Sequence, residues 1–285
     1  MRAHAETPKR SHAGGRWGSP GVYLVAFLLV GVCLAPAVYI ILGGFRTNSQ
    51  IINDPAGLPD PWVVGNYLDI LAGGQFWQQV FNSLVCALGT TVGVVVLGIM
   101  ASYAIARYPF RGREVMYAYF AAGLMFPMTV AITPLYIMVR DLGLVNSFGG
   151  IILPQIAFSL PMTVIILVPF LRAIPKELEE AAFVDGAGRL GFFWRMVLPL
   201  SASGVVTVGV LAFVASWNGY LLPLFILNDE ALYTLPLGVQ NFASQYSVDT
   251  ARVLAFVSLS MIPALVFFST LERRIVGGLT GAVKG

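Results

Sequence analysis

The stretch IPKELEEAAFVDGAGRLGFFWRMVLPL, residues 174–200, is a charged segment between two apolar runs. It carries seven Asp, Glu, Lys or Arg residues, although such residues make up only 11% of the chain. Pro175 suits the first turn of a helix, where its missing N–H costs nothing. Gly186 and Gly188 suit the end of that helix, because glycine readily adopts the left-handed conformation. We call residues 174–200 the charged segment and predict that it forms two amphipathic helices joined by a turn.

Apolar residues dominate the rest of the chain, which is 57% hydrophobic with a mean hydropathy of +0.79. A helix of roughly 20 apolar residues crosses a hydrocarbon core of about 30 Å. Six runs without Asp, Glu, Lys, Arg or His reach that length, whereas the buried helices of a soluble core are usually shorter and keep a polar face. We therefore predict an all-α membrane protein with six transmembrane helices. The runs are residues 21–45, 82–106, 115–139, 148–171, 197–228 and 253–271.

Basic residues are distributed unequally between alternate loops. If both termini lie on one side of the membrane, that side has 14 of the 17 Lys and Arg residues. Basic loops stay in the cytoplasm, so both termini and the loop 172–197 are predicted to be cytoplasmic. A cleaved signal peptide is disfavoured, because the 25 uncharged residues of the first run exceed an h-region of about 7–15 residues.

The order of the runs predicts the organisation of the chain. A flexible cytoplasmic tail comes first, and a core transmembrane domain that includes the loop 172–197 forms most of the remainder. The predicted parts are the tail (1–20), the first transmembrane helix (21–45), an external loop (46–81), the core domain (82–275) and a cytoplasmic C-terminal tail (276–285).

The apolar runs contain no Asp, Glu, Lys, Arg or His, which limits how the chain could drive transport. Secondary carriers commonly use intramembrane carboxylates or histidines as a coupling relay, and cation channels use acidic rings or a carbonyl filter. A nucleotide-binding P-loop needs a lysine after glycine, but none of the three lysines follows a glycine. No metal-ligand cluster or Ser/His/Asp arrangement is evident. We predict that the chain is not an enzyme and that its energy comes from outside the bilayer.

Physical chemistry alone leaves two interpretations of the charged segment open. An amphipathic helix–turn–helix can dock into a groove of a partner protein. The same pattern also suits two helices that lie on the lipid surface.

The residue spacing in the charged segment resembles the EAA motif of ABC importer permeases, although Met196 stands where the family usually has isoleucine. The motif residues are Glu180-Ala181-Ala182, then Gly186 after three residues, Met196 after nine more, and Leu198-Pro199 after one more. A wider resemblance, to the carbohydrate-type (maltose-like) branch, extends over nearly the whole chain. It is carried by FNSL (81–84), ASYAIARYPFRG (101–112), PLY (134–136), GL (143–144), SWNGY (216–220) and GLTGAVKG (278–285).

This resemblance implies a type I importer permease of a bacterial or archaeal inner membrane. Two permease subunits, usually different chains, would form the pathway, and an external solute-binding protein would deliver a sugar. Two ATPase subunits would hold ATP and Mg²⁺, so this chain is expected to need no cofactor of its own and no nucleic acid. The EAA loop, between the fourth and fifth spans, would be a coupling helix seated in an ATPase cleft. A permease for a non-sugar solute such as glycerol phosphate is the alternative, followed by a secondary carrier or a scaffold.

The resemblance also suggests three groups of candidate site residues. Glu180 is expected to contact a basic group of the ATPase or to brace the turn, and Gly186 to supply a positive φ or a close backbone approach. The pathway candidates offer amides and rings to a sugar, but they also suit hydrogen bonds between helices. The polar loop 229–252 is expected to contact the binding protein, with a plain solvated loop as the alternative. The coupling candidates are Glu180, Ala181, Ala182, Asp185, Gly186, Gly188, Arg189, Leu198 and Pro199; the pathway candidates are Trp217, Asn218, Tyr220, Gln155 and Tyr136; the binding-protein candidates are Gln240, Gln245 and Asp249.

Overall fold

A computed structural model describes residues 20–243 and 247–283, and these ranges contain helices and no β-strand. Residues 1–19 of the predicted tail and the candidate Gln245 lie outside the described residues. The helices are α1 (Pro20–Gly43), α2 (Asn48–Asn53), α3 (Gly65–Ala72), α4 (Gly74–Arg107), α5 (Arg113–Gly123), α6 (Met128–Asp141), α7 (Gly149–Arg172), α8 (Lys176–Val184), α9 (Arg189–Leu200), α10 (Ala202–Trp217), α11 (Leu221–Ile226) and α12 (Thr250–Val283). Two short 3₁₀ turns, Glu230–Leu232 and Leu237–Phe242, lie between α11 and α12.

Three of the described helices are long and apolar enough to cross a membrane, namely the first helix, α4 and α7. Two bent pairs could each form one further span: α5 and α6 meet at 100°, and α9 and α10 meet at 74°. The last predicted run falls in α12, whose described apolar segment is Thr250–Val266. By length and composition, the described residues therefore contain three to five candidate spans.

The run 115–139 is predicted as one helix, but the structure divides it into α5 and α6. Pro127 is the residue before α6 and has an extended conformation, with φ −76° and ψ 132°. A proline cannot donate the next helical hydrogen bond and disfavours helical geometry at the residue before it. The break follows from Pro127, although membrane helices tolerate such prolines at other sites.

The predicted external loop 46–81 is largely helical, since it contains α2, α3 and the beginning of α4. Thr47 and Gln50 form a capping box that starts α2: Thr47 Oγ1 accepts from the N of Gln50 at 3.2 Å, and Gln50 Oε1 accepts from the N of Thr47 at 2.8 Å. Arg46 is buried and donates to carbonyl oxygens of Gln50 and Asp54 at 2.6 and 2.5 Å. These bonds hold α2 against the end of α1.

The centre of the fold is formed by α4, which packs most extensively against α7 and α10. Gly89, Gly93 and Gly98 of α4 face side chains of α7, and small residues of this kind let membrane helices approach closely. The other long helices are added around this centre: α12 packs against α10, and α1 has its main contact with α12.

Replacing Gly93 by valine should loosen the contact between α4 and α7. A β-carbon at Gly93 would overlap the side chain of Ile156, and overpacking of this kind typically costs about 1–3 kcal/mol. We expect a lower midpoint of thermal unfolding for the detergent-solubilised protein. Gly31→Val in α1 is the matched control, because a β-carbon there meets nothing within 4 Å. Equal midpoints for the two variants would contradict the packing argument.

Candidate functional site

The charged segment folds as α8, a glycine-containing turn and α9. Pro175 lies immediately before α8 as its N-cap, with φ −58° and ψ 141°, so it stands one residue ahead of the predicted first turn. Glu177 and Glu179 lie in the first turn, where negative charge complements the unpaired N–H groups of a helix N-terminus.

Gly186 ends α8 in the left-handed conformation, with φ +82°. Its N donates to the carbonyl oxygen of Phe183 at 3.1 Å, and the N of Ala187 donates to the carbonyl oxygen of Ala182 at 2.9 Å. These two bonds form a Schellman motif, which satisfies the last carbonyl groups of a helix and favours glycine. A β-carbon at Gly186 would meet nothing within 4 Å, so positive φ and not crowding explains the glycine. Gly188, by contrast, has an ordinary φ of −74°.

The second helix, α9, contains a wide π-helical turn at Phe193–Val197. Pro199 has no N–H for the regular helical bond, and the N of Leu198 donates to the carbonyl oxygen of Phe193, five residues back. The chain then bends by 74° into α10. Phe192 and Val197 are buried in a cluster with residues of α4, α7 and α10, and Leu198 packs against it. The charged segment is therefore fixed to the three central helices.

Arg107, the last residue of α4, provides a polar attachment for the same segment. Its Nη1 donates to the carbonyl oxygen of Ile174 at 2.7 Å, and its Nη2 donates to Glu179 Oε2 at 2.5 Å. The Arg107 side chain is only 4% exposed and that of Glu179 is 23% exposed. Charge-assisted hydrogen bonds are roughly twice as strong as neutral ones, so Arg107 and Glu179 brace α8 against α4.

Glu179, and not Glu180, therefore makes the intramolecular contact. Glu180 is exposed and forms no hydrogen bond or ion pair within the described part of the chain. Neither Arg107 nor Glu179 was singled out from the sequence as a site residue, because their partnership joins positions 72 residues apart.

A cation–π contact holds the beginning of α9. The Arg189 guanidinium lies 5.0 Å from the centroid of the Tyr108 ring, a contact that contributes about 0.5–1 kcal/mol at exposed sites. The remaining surface of the charged segment is open: Val184, Leu190 and Trp194 are 87%, 77% and 63% exposed. Among the coupling candidates, Ala182 and Leu198 are half-buried, whereas Glu180, Ala181, Asp185, Gly186, Gly188, Arg189 and Pro199 are exposed. The charged segment thus exposes a carboxylate and several large apolar side chains.

Gln155 lies where the three central helices meet. Its Oε1 accepts from Thr90 Oγ1 of α4 at 2.9 Å and from Ser216 Oγ of α10 at 2.6 Å. The side chain thus makes the hydrogen bonds between helices that were the alternative to a pathway role. It also lines a cleft of about 480 Å³ together with Asn218 and Tyr220, so the structure brings three of the five pathway candidates together.

The other two pathway candidates lie elsewhere. Trp217 is 4% exposed and stacks on Phe213, with ring centroids 5.8 Å apart. Its ring belongs to a core cluster and to a separate, mostly apolar cleft of about 500 Å³ between α10 and α12. Tyr136 packs against a third group of apolar residues. Within the SWNGY pattern, Trp217 therefore lies in the core, whereas Asn218 and Tyr220 line the Gln155 cleft. The sequence alone does not distinguish these two environments.

A connection between α11 and α12 lies at the opposite end of α4 from the charged segment. We call residues 229–243 the strap. Asn82 Nδ2 donates to carbonyl oxygens of Ala231 and Tyr233, both at 2.9 Å, and Ser83 Oγ accepts from the N of Leu235 at 2.7 Å. The FNSL pattern thus fixes the strap to α4, a role that sequence reasoning missed.

The two described binding-protein candidates have different environments. Gln240 of the strap donates from Nε2 to the hydroxyl oxygen of Tyr220 at 3.3 Å, which links the strap to the Gln155 cleft. Asp249 Oδ1 accepts from Asn48 Nδ2 at 3.1 Å and from the N of Arg252 at 3.2 Å. Asp249 therefore stabilises the start of α12, and its replacement would change the fold locally.

No group of three or more His, Cys, Asp or Glu side chains is placed to hold a metal ion within residues 20–243 and 247–266. The described residues thus offer an exposed surface on the charged segment and a cleft in which a few polar side chains lie among apolar ones.

Comparisons with known proteins show which family the chain belongs to. The chain is 38% identical to the trehalose transport system permease protein SugB of Mycobacterium tuberculosis, over 90% of this chain and 95% of that protein. It is 32% identical to the diacetylchitobiose uptake system permease protein NgcG of Streptomyces coelicolor, over 87% and 83%. A crystal structure of a bacterial ABC transporter involved in the import of the acidic polysaccharide alginate has the same fold, with a TM-score of 0.75 at 22% identity over 89% of this chain and 95% of that one. The family described as the binding-protein-dependent transport system inner membrane component matches residues 94–276, and the chain belongs to that family.

Proposed function

We propose that this chain is the membrane-spanning subunit of an ATP-driven importer and forms half of the pathway for a sugar delivered by an external binding protein. The charged segment carries the proposal, because it exposes Glu180 and large apolar side chains on a protein whose apolar runs contain no Asp, Glu, Lys, Arg or His. Relatives that are named for trehalose and diacetylchitobiose support a sugar as the cargo. A non-sugar solute, such as glycerol phosphate, is the alternative that a substrate screen would test.

The charged segment is the proposed coupling helix. Its partner is an ATPase subunit, which holds ATP and Mg²⁺ in a dimer with a second ATPase subunit. Glu180 is free for a basic group of that partner, and the exposed Val184, Leu190 and Trp194 supply apolar area. A second permease subunit, in most such assemblies a different chain, would complete the pathway.

The pathway itself is proposed to include the Gln155 cleft. Gln155 and Tyr220 combine an amide with an aromatic ring, which suits the hydroxyls and the apolar face of a sugar. Gln240 and Gln245 are proposed to contact the binding protein, and Asp249 to support them by holding the start of α12. ATP hydrolysis by the assembled complex, stimulated by binding protein loaded with different sugars, is the measurement that identifies the cargo.

Reversing the charge of Glu180 should separate docking on an ATPase from a position on lipid. If α8 is seated in an ATPase cleft, Glu180→Lys removes a charge-assisted bond of about 1.5–3 kcal/mol, and less ATPase should co-purify with the permease. If α8 lies on lipid, a lysine strengthens contact with anionic headgroups and association is unchanged. Glu177→Lys is the control, because Glu177 is another exposed carboxylate of α8. Equal retention of the ATPase by both variants would refute the proposed docking.

Six spans with both termini in the cytoplasm complete the proposal. The distribution of basic residues supports it, as do the three to five candidate spans and an apolar segment in α12. An alkaline phosphatase fusion within 46–81 should be active and a fusion after Gly285 inactive, whereas green fluorescent protein after Gly285 should fluoresce. An active phosphatase at the C-terminus would contradict this topology.

A further inference from the structure

A second cleft with polar side chains lies at the beginning of α4, on the face that the proposed topology places outside the membrane. It has a volume of about 190 Å³ and is bounded by α3, α4, the strap and α12. We call it the Gln79 cleft. It shares no lining residue with the Gln155 cleft, so the two are separate places on the protein. Its polar lining residues are Asp69, Gln75, Gln79, Asn241 and Arg252.

Gln79 is a buried amide without a partner. The residue is 1% exposed, and neither Nε2 nor Oε1 has a hydrogen-bond partner within the described part of the chain. Gly238 of the strap makes room for it, because a β-carbon at Gly238 would overlap Gln79 Oε1. A buried donor or acceptor that is left unpaired costs free energy, and folded proteins contain few of them. A ligand that both donates and accepts would satisfy the two atoms.

The charged residues of the lining disfavour an anionic ligand. Arg252 Nη2 donates to Asp69 Oδ2 at 3.1 Å, and Arg252 Nε lies 3.6 Å from Asp249 Oδ2. The guanidinium is therefore already paired with two carboxylates, and Asp69 is paired with the guanidinium. What the lining offers to a ligand is uncharged amides, each of which can donate and accept. These amides belong to Gln75, Gln79 and Asn241.

The apolar part of the lining consists largely of aromatic rings. Phe256 is 2% exposed, and the rings of Phe76 and Phe242 contact it with centroids 5.7 and 5.3 Å away. Small-molecule sites combine such apolar and aromatic surface with a few placed polar groups. A sugar ring presents apolar C–H groups on its faces and hydroxyl groups at its edge, and each hydroxyl both donates and accepts. A neutral sugar therefore matches both parts of the lining.

We propose that the Gln79 cleft is a binding site for one neutral sugar ring on the external face of the protein. One hydroxyl group of the sugar accepts from Gln79 Nε2, and another donates to Gln79 Oε1. The cleft is smaller than the about 300–1,000 Å³ of sites for drug-sized ligands, so further rings of a longer saccharide extend out of it. The inference rests on the proposed function, since an importer of sugars is the setting in which such a ligand reaches this face.

A cysteine in the cleft reports whether a sugar occupies it. Gln75→Cys places a thiol at an exposed position of the lining. The exposed Cys33 is removed by Cys33→Ser, and the buried Cys86 is kept. The full chain, with the subunits that co-purify with it, is placed in lipid nanodiscs without a binding protein, and its rate of reaction with a fluorescent maleimide is measured. We expect saturating glucose or trehalose to slow this reaction severalfold, and glucuronate, the same ring with a carboxylate, to slow it less.

Three further variants locate the effect. Gln79→Leu in the reporter protein should remove the protection, because the amide is lost. Leucine leaves no unpaired polar atom, so the midpoint of thermal unfolding should be unchanged or higher, which separates lost binding from a lost fold. If Gln79→Leu does not fold, Asn241→Ala decides, since it removes a less buried amide of the lining. Gln78→Cys is the matched control, because Gln78 is exposed on the same helix but outside the lining; the sugars should leave its rate unchanged.

The outcomes separate this inference from the proposed function. Equal rates with and without sugar at Gln75→Cys would mean that the cleft holds water only, and full protection in Gln79→Leu or equal slowing at Gln78→Cys would also overturn the site. Stronger protection by glucuronate than by glucose would overturn the choice of a neutral ligand. A permease that co-purifies with its ATPase but shows no protection keeps the proposed function and loses the Gln79 cleft. Failure to co-purify with any ATPase refutes the proposed function, and labelling of the full chain in nanodiscs still decides whether the cleft binds a sugar.

Discussion

Replacement of Arg107 by leucine is expected to detach the charged segment from α4 and to abolish transport. Leucine fills part of the apolar volume but leaves the carbonyl oxygen of Ile174 and the carboxylate of Glu179 without their donor. Loss of one partner of a buried ion pair typically costs about 3–5 kcal/mol. Glu179 is 23% exposed, so water partly solvates its unpaired carboxylate. We therefore expect a destabilisation near the lower end of that range. The midpoint of thermal unfolding and the amount of co-purified ATPase should both fall.

Two further variants locate the origin of the effect. Arg107→Lys keeps the charge but loses the forked guanidinium that reaches both acceptors. Its midpoint of thermal unfolding and its co-purified ATPase should therefore lie between those of the wild type and of Arg107→Leu. Arg113→Leu removes an arginine whose side chain is 42% exposed and whose ion pair with Glu114 is open to water. Exposed pairs contribute about 0–1 kcal/mol, so this control should stay close to the wild type. If Arg107→Leu lowers the unfolding midpoint and the co-purified ATPase no more than Arg113→Leu does, Arg107 does not brace α8 against α4.

The local features of the site could be predicted from the sequence because they depend on nearby residues. The charged segment has a helix, a turn and a second helix as predicted, and the positive φ of Gly186 needs only the pattern of a helix end. The α2 capping box was also visible as Thr47-x-x-Gln50.

The features that the sequence could not supply depend on distant partners. Arg107 contributes to the charge of a loop and to the ASYAIARYPFRG pattern, but nothing in its surroundings indicates Glu179, 72 residues away. Asn82 and Ser83 belong to the FNSL pattern, but nothing near them in the sequence indicates that they bind the backbone of the strap. The aromatic ring of Trp217 suits contact with a sugar, but it packs on Phe213 and is buried. Long-range pairing decides which of several suitable side chains faces a cleft.

Replacement of Gly186 by valine should disconnect α9 from α8 without disturbing any packed atom. The position has φ +82° and open space around it, so the whole cost is backbone strain, roughly 1–3 kcal/mol for a non-glycine residue in a sparsely populated region. The chain can relieve that strain by giving up the bonds to Phe183 and Ala182, which unwinds the end of α8. We expect normal insertion into the membrane, reduced co-purification of the ATPase and little or no sugar uptake.

Gly188→Val is the control for this prediction, because Gly188 is exposed, equally uncrowded and only two residues away, but its φ is −74°. Asparagine tolerates the left-handed region better than other non-glycine residues, so Gly186→Asn should recover part of the association that Gly186→Val loses. ATPase retention that decreases in the order glycine, asparagine, alanine and valine at position 186 would mean that docking depends on the angle between α8 and α9. Equal retention by Gly186→Val and Gly188→Val would mean that the turn geometry is irrelevant to docking, and the contact would then have to be sought on the exposed face of α8 alone.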